Sequence, residues 1–158
     1  MEEKVAYITG GTKGIGFGIA EVLLKNGIHV AISGRKREDA EEAAKALSDD
    51  DSKVLGIPSD VKNREDEKKA VAEIIKKFGR LDYVIANAGL GIFKPVDELS
   101  AEDWNAMIDT NLTGLFYTLK ASVEELKKTE GYFITISSLA GTNFFEKGSG
   151  YNASKFGA

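Results

Sequence analysis

Short apolar runs alternate with longer amphipathic segments from one end of this chain to the other. Val5-Ala6-Tyr7-Ile8 reads as a strand, and a group of glycines leads from it into a helix over Ile15 to Lys25. Val30 to Ser33 predicts a second strand, followed by an Ala/Glu/Lys-rich helix over Glu38 to Leu47. Val54 to Ile57 predicts a third, with a helix through Lys76 behind it, and Leu81 to Ala86 a fourth. A helical stretch from Ala101 to Lys128, broken near Asn111, leads to a fifth strand over Tyr132 to Ile136. Continuously apolar strands, as opposed to alternating ones, indicate a sheet covered on both faces, hence parallel strands joined by right-handed crossovers. The predicted fold class is α/β, a doubly wound parallel sheet. Pro58 and Pro95 fall just beyond strands, where a missing N–H does least harm. Gly141 to Gly150 reads as a loop before a final helix, and Lys94, Phe144 and Phe145 are candidates for exposed or pocket-lining loop positions.

Composition narrows the classes. At 158 residues, with 42% hydrophobic and 29% charged residues, the chain is about one domain long and ordinary for a globular protein. A net charge of −4, with basic residues scattered, supplies no electrostatic pull toward nucleic acid or an anionic membrane. The absence of cysteine excludes disulfides, thiol nucleophiles and thiolate metal sites. The single His29 cannot build a histidine metal cluster, and its place before Val30 suits a strand entry. Met1-Glu2-Glu3-Lys4 is no apolar signal segment, and no run approaches the roughly 18 apolar residues of a membrane span. The cytoplasm is the expected compartment.

Two clusters carry chemistry. The first strand runs straight into Thr9-Gly10-Gly11-Thr12-Lys13-Gly14-Ile15-Gly16, placing glycines at a strand-to-helix turn. Glycine lets backbone approach a pyrophosphate, and a new helix offers unpaired N–H groups and the positive end of its dipole. A nucleotide-triphosphate loop fits less well, because Lys13-Gly14 is not followed by Ser or Thr. The second cluster is Ser138, Tyr151 and Lys155. Tyr and Lys four apart share one helix face, so an ammonium can stand beside a phenol. A unit charge about 4 Å away at an effective dielectric of about 20 is worth about 4 kcal/mol. That is enough to make a group titrating near about 10 useful as an acid or base at neutral pH. In a lysine-rich chain this spacing also arises by chance, so the pair means little without its surroundings.

Those surroundings resemble the short-chain dehydrogenase/reductase family, and the resemblance runs through all 158 residues. Thr9 to Gly16 is similar to the family's coenzyme loop, with Gly10, Thr12, Lys13, Gly14, Ile15 and Gly16 at its binding positions. Asp60-Val61 resembles its adenine contact and Asn87-Ala88-Gly89 its motif after strand four. Asn111 resembles its helix-breaking active-site Asn, and Ser138, Tyr151 and Lys155 the remaining catalytic residues. Ala86 stands where the family often has a second Asn. The resemblance implies a Rossmann-type strand order of 3-2-1-4-5. It also implies that Asn111 opens its helix so that a carbonyl can hold water near Lys155, that Tyr151 and Lys155 also contact the coenzyme, and that the protein is a homodimer or homotetramer.

Coenzyme choice turns on the second strand. NAD-preferring sites place an acid at its end for the ribose 2′-hydroxyl, and such an acid repels a 2′-phosphate. Here that region reads Ser33-Gly34-Arg35-Lys36-Arg37, and the first acid, Glu38, falls in the opening turn of a helix. Arg35, with Lys13 across the coenzyme loop, suits a phosphate. NADP(H) is therefore the expected cofactor.

The leading functional expectation is an oxidoreductase transferring a hydride between NADP(H) and a small-molecule carbonyl or alcohol. A non-catalytic NADP(H) sensor or scaffold on the same fold, and an epimerase or dehydratase, stay open beside it. A single domain over residues 1–158 is expected, stopping short of strands 6 and 7 that the family plan adds. On that plan the chain by itself is inactive, and the substrate lobe is missing.

Overall fold

The computed structural model describes residues 3–158; Met1 and Glu2 of the polar opening segment lie outside them. Five strands, β1 (Val5–Ile8), β2 (His29–Gly34), β3 (Val54–Pro58), β4 (Tyr83–Ala86) and β5 (Tyr132–Thr135), form one sheet in the order β3-β2-β1-β4-β5. Every pairing is parallel, with Val5 opposite His29 and Ala6 opposite Tyr83. The crossovers are α1 (Gly14–Lys25), α2 (Arg37–Leu47), α3 (Arg64–Phe78), then α4 (Ala101–Ile108) and α5 (Gly114–Thr129), with α6 (Ser149–Gly157) following β5.

The unbroken apolar run of β1 now has its reason. It is the central strand, and its side chains feed two cores alternately. Val5 and Tyr7 point to one side with Ile57, Ile74, Leu81, Val84 and Leu126. Ala6 and Ile8 point to the other with Ala20, Val30, Ile32, Ala44 and Ile85. At about 25 cal/mol per Å² of apolar surface removed from water, this two-sided burial is the main term holding helices to both faces.

Helix boundaries follow local chemistry. Asn63 caps α3, its Oδ1 accepting from the N–H groups of Glu65 (3.0 Å) and Asp66 (3.4 Å), and Gly79 ends it in the left-handed region at φ 78°. The helix therefore runs two residues past Lys76. The expected break near Asn111 is a π-helical turn, Asp109–Thr113, between α4 and α5. Pro58 stands inside β3 as its last residue, paired with Gly34, where the outer position of β3 in the sheet tolerates the missing donor. Strand four begins at Tyr83 instead of Leu81, because Asp82 is used as an anchor. Its carboxylate accepts from Val5 N–H (2.9 Å) and from two nitrogens of Arg80 (2.9 and 2.7 Å). His29 does open β2, its Nε2 3.0 Å from a Glu3 carboxylate oxygen and its ring 5.4 Å from that of Phe78. Among the described residues no helix is long and apolar enough to cross a membrane.

Candidate active site

The carboxyl ends of β1, β2, β3 and β4 open onto one edge of the sheet, and the loops leaving them are stitched together. Gly10 sits at φ 63°, and a Cβ there would come within 2.9 Å of Ala88 Cα, so the position demands glycine twice over. Asn87 donates from Nδ2 to the carbonyls of Thr9 and Gly10, both at 3.0 Å. Thr9 Oγ1 accepts from the N–H groups of Asn87 and Ala88, each at 3.1 Å. A Cβ on Gly16 would stand 2.5 Å from that Asn87 amide, so close passage of α1 over the β4 exit depends on its absence. Asn87 is thus a tie between loops. Lys13 precedes α1 in extended conformation without a side-chain cap, and no acid occupies the first turn of α1. Lys13, Gly14 and Ile15 are exposed, whereas Gly16 is buried.

The β2 and β3 exits lie against this loop. Gly11 N–H donates to Ser33 O (3.0 Å), and Thr12 is packed so tightly on Gly34 that a Cβ at 34 would be 2.5 Å from its Cγ2. Arg35, Lys36 and Arg37 are exposed, and Glu38 lies in the first turn of α2. Asp60 does not cap α3, a role taken by Asn63; its Oδ1 accepts from Lys62 N–H at 3.0 Å in a local turn. Val61 is buried against Gly114 at the start of α5.

The second group forms around α6. Lys155 is buried, and its Nζ donates to Ile136 O at 2.9 Å while standing 5.9 Å from the ring centroid of Tyr151. Burial pushes the Lys155 ammonium below the ordinary lysine value. Tyr151 is half-buried, with its ring 5.3 Å from that of Phe93. Asn111 is buried in the π-helical turn. Its Oδ1 accepts from Leu90 N–H (2.8 Å), and its Nδ2 donates to Leu90 O (2.8 Å) and to Ser154 Oγ (2.9 Å). Ser154 in turn donates to Tyr151 O at 2.8 Å, so Asn111 locks the β4 exit to α6. The ideal Cβ position on Gly89 is 3.2 Å from Asn111 Oδ1 and 3.7 Å from Lys155 Nζ, which places these three together. A small pocket lined by Thr9, Val61, Ala88, Thr110, Asn111 and Lys155 joins the two groups. Ser138 lies half-buried before the short 3₁₀ turn Leu139–Gly141, its Oγ accepting from Ala140 N–H at 3.1 Å and retaining its own hydrogen for another acceptor.

Three residues of this arrangement lie outside the sequence expectations. Asn152, beside Tyr151, donates to the carbonyls of Ala140 (2.9 Å) and Asn143 (2.7 Å) and accepts from Phe145 N–H (3.2 Å), holding the loop after Ser138. Ser154 and Phe93 act as just described. The only signal for Asn152 and Ser154 was polarity within the final helix, Ser154 lying one turn from Tyr151 and Asn152 directly beside it in sequence. Lys94 pairs with Asp103 at 2.6 Å, and the exposed Phe144 stacks on Phe156 at 5.1 Å beside Phe145 and Val96 in an apolar groove.

Fold and loop arrangement together define a Rossmann-type α/β protein. The short chain dehydrogenase family profile matches residues 4–158. An uncharacterised oxidoreductase of Staphylococcus saprophyticus is 35% identical over 157 residues, covering 98% of this chain and 67% of that protein. A 3β-hydroxysteroid dehydrogenase of Mediterraneibacter gnavus is 35% identical over 98% of this chain and 56% of its own length. Among solved structures, an alcohol dehydrogenase from Thermococcus sibiricus complexed with 5-hydroxy-NADP superposes with a TM-score of 0.94 at 37% identity, covering 99% of this chain and 67% of its own. The chain belongs to the short-chain dehydrogenase family, whose members are oxidoreductases that use nicotinamide cofactors, and it spans about two-thirds of the length of such relatives.

Proposed function

We propose that the protein is an NADP(H)-dependent oxidoreductase acting on a small-molecule carbonyl/alcohol pair. The observation that carries this reading is the buried Lys155, tied to Ile136 O and standing beside the half-buried Tyr151 where Gly89 and Asn111 converge. A buried ammonium held near a phenol has a chemical use that a surface pair lacks.

The residues fit the coenzyme. The glycine loop from Gly10 to Gly16 leaves exposed backbone at Lys13, Gly14 and Ile15 for a pyrophosphate, and Asp60, Val61, Asn87, Ala88 and Gly89 line the adjoining strand exits. Lys13 and Arg35 are exposed cations flanking the β2 exit, where an acid would otherwise select the ribose 2′-hydroxyl, so they would take a 2′-phosphate. The relative from Thermococcus sibiricus is complexed with 5-hydroxy-NADP, which agrees with that reading. When bound, the nicotinamide supplies or accepts the hydride. Tyr151 gives a proton to the substrate oxygen in reduction and takes it back in oxidation. Lys155 favours the phenolate by its charge and holds the ribose, Ser138 donates its free hydroxyl hydrogen to the same oxygen, and Asn111 keeps the π-helical turn open for a proton path. The proposal includes a homodimer or homotetramer in the cytoplasm, checked by light scattering and fractionation.

The direct test is Tyr151→Phe in the protein, assayed by NADPH absorbance against a panel of carbonyl substrates. Loss of roughly 10²–10⁴ in kcat with nucleotide affinity retained is expected for a missing acid/base. Full turnover by that variant would sink the assignment and favour a site that binds nucleotide without this chemistry.

A further inference from the structure

A polar cluster is buried in the core away from Tyr151. Glu67 of α3 is fully buried, and Ser59 Oγ donates to its Oε1 at 2.7 Å. Tyr7, fully buried in the central strand, places its hydroxyl 3.1 Å from that same Oε1 and 3.1 Å from Ser33 Oγ. Thr118 of α5 also faces the carboxyl. None of these groups is a cation. Burial pushes the Glu67 carboxyl above the ordinary glutamate range, with the bonds from Ser59, Thr118 and Tyr7 opposing that rise. For stability alone the cluster is a poor choice, since apolar side chains of similar volume fill a core at no desolvation cost.

Its position supplies a different rationale. Ser33 and Ser59 are the residues immediately before Gly34-Arg35 and Asp60-Val61. Ser59 N–H donates to Gly34 O (2.9 Å), Gly11 N–H donates to Ser33 O (3.0 Å), and Thr12 rests on Gly34. Three loops expected at the adenosine end of the nucleotide therefore hang on two serines, and both serines are held from below by Glu67 and Tyr7. Backbone groups that bind a ligand gain most when their geometry is set beforehand by bonded partners.

We infer that Glu67, acting with Tyr7 through the hydroxyls of Ser33 and Ser59, is a positioning residue for the adenosine half of the coenzyme site. The inference rests on the nucleotide-binding reading above. A Gln at position 67 keeps a carbonyl acceptor for Ser59 and offers an N–H to Tyr7, which can then donate to Ser33; a Leu keeps neither.

The test is calorimetric titration of the full chain with 2′,5′-ADP, a probe of the adenosine half alone, together with NADPH kinetics. Glu67→Leu is expected to weaken 2′,5′-ADP about tenfold and to raise the NADPH KM with kcat at saturation within about twofold. Glu67→Gln should restore affinity to within about threefold, and Tyr7→Phe, which keeps the packing, should lose about fivefold. Unfolding scans run alongside confirm that each variant folds. Unchanged 2′,5′-ADP affinity in folded Glu67→Leu and Tyr7→Phe, or a loss confined to kcat, overturns the inference. The underlying reading fails separately and visibly: the unsubstituted chain would show no saturable 2′,5′-ADP binding, or Arg35→Ala would leave that binding unchanged.

Discussion

On the proposed function, Lys155 concentrates the conflict between stability and chemistry in one side chain. Burial lowers its pKa, so the folded protein gives up the proton at lower pH than the unfolded chain does. The unfolded state then binds more protons between the lowered value and the ordinary lysine value, and stability rises with pH across that window. Below it the charge is carried in both states and the desolvation cost is present in full. Lys155→Met removes that cost together with the bond to Ile136 O. The expected outcome is a thermal midpoint at least as high as before, loss of the alkaline rise in stability, and turnover lower by about 100-fold or more. A second prediction at this scale concerns Arg35, which lies exposed beyond β2. Arg35→Asp should weaken NADPH by about tenfold or more while NADH holds or gains, read as two dissociation constants. Equal binding of the two coenzymes by the unsubstituted protein would remove the basis of the NADP(H) reading.

At the scale of elements, the break expected near Asn111 takes the form of a π-helical turn at Asp109–Thr113, and Asn111 is what ties it down. Its amide makes three bonds, two to Leu90 and one to Ser154, and so joins the α4–α5 stretch to the β4 exit and to α6. Asn111→Ala leaves Leu90 N–H and O without those partners in a partly buried place, at a cost of about 1–3 kcal/mol. The expected result is a lower denaturant midpoint with unchanged m-value and, on the proposed function, a larger loss in kcat than stability explains, because α6 carries Tyr151 and Lys155. Asn111→Asp, which keeps one acceptor, should recover part of the stability. Equal midpoints for Asn111→Ala and the unsubstituted protein would show that the turn is set by backbone alone.

For the whole molecule, the parallel order β3-β2-β1-β4-β5 converts residues distant in sequence into one edge. Asp82 fastens the opposite end of that sheet, joining β1, β4 and Arg80. Burial raises its pKa, but the Arg80 guanidinium and Val5 N–H outweigh burial and hold the carboxyl below the usual aspartate value. A lowered carboxyl pKa contributes stability that is present above the unfolded-state value and lost as pH falls through the folded one. Asp82→Asn should therefore cost about 2 kcal/mol near neutrality, with the two proteins converging in strong acid, as measured by urea unfolding across pH. A gap that stays constant with pH would assign the loss to packing.

The order of elements and the two-sided sheet were legible in the chain, because burial on both faces writes itself as apolar runs, and the candidate site residues were picked out by their spacing and their place at the strand exits. The break near Asn111 and the entry role of His29 were likewise readable locally. What only the tertiary structure decided is which side chains meet across large sequence separations. Asn87 reaches back to Thr9 and Gly10, Asn111 reaches Leu90 and Ser154, and Lys155 reaches Ile136. The same holds for Glu67 of α3 and Tyr7 of β1, which the fold buries under Ser33 and Ser59. Periodicity reports how much of a side chain is buried, since burial is a property of each position along an element. It carries no record of partners, because hydrogen bonds across the sheet edge depend on how separate elements are set against one another.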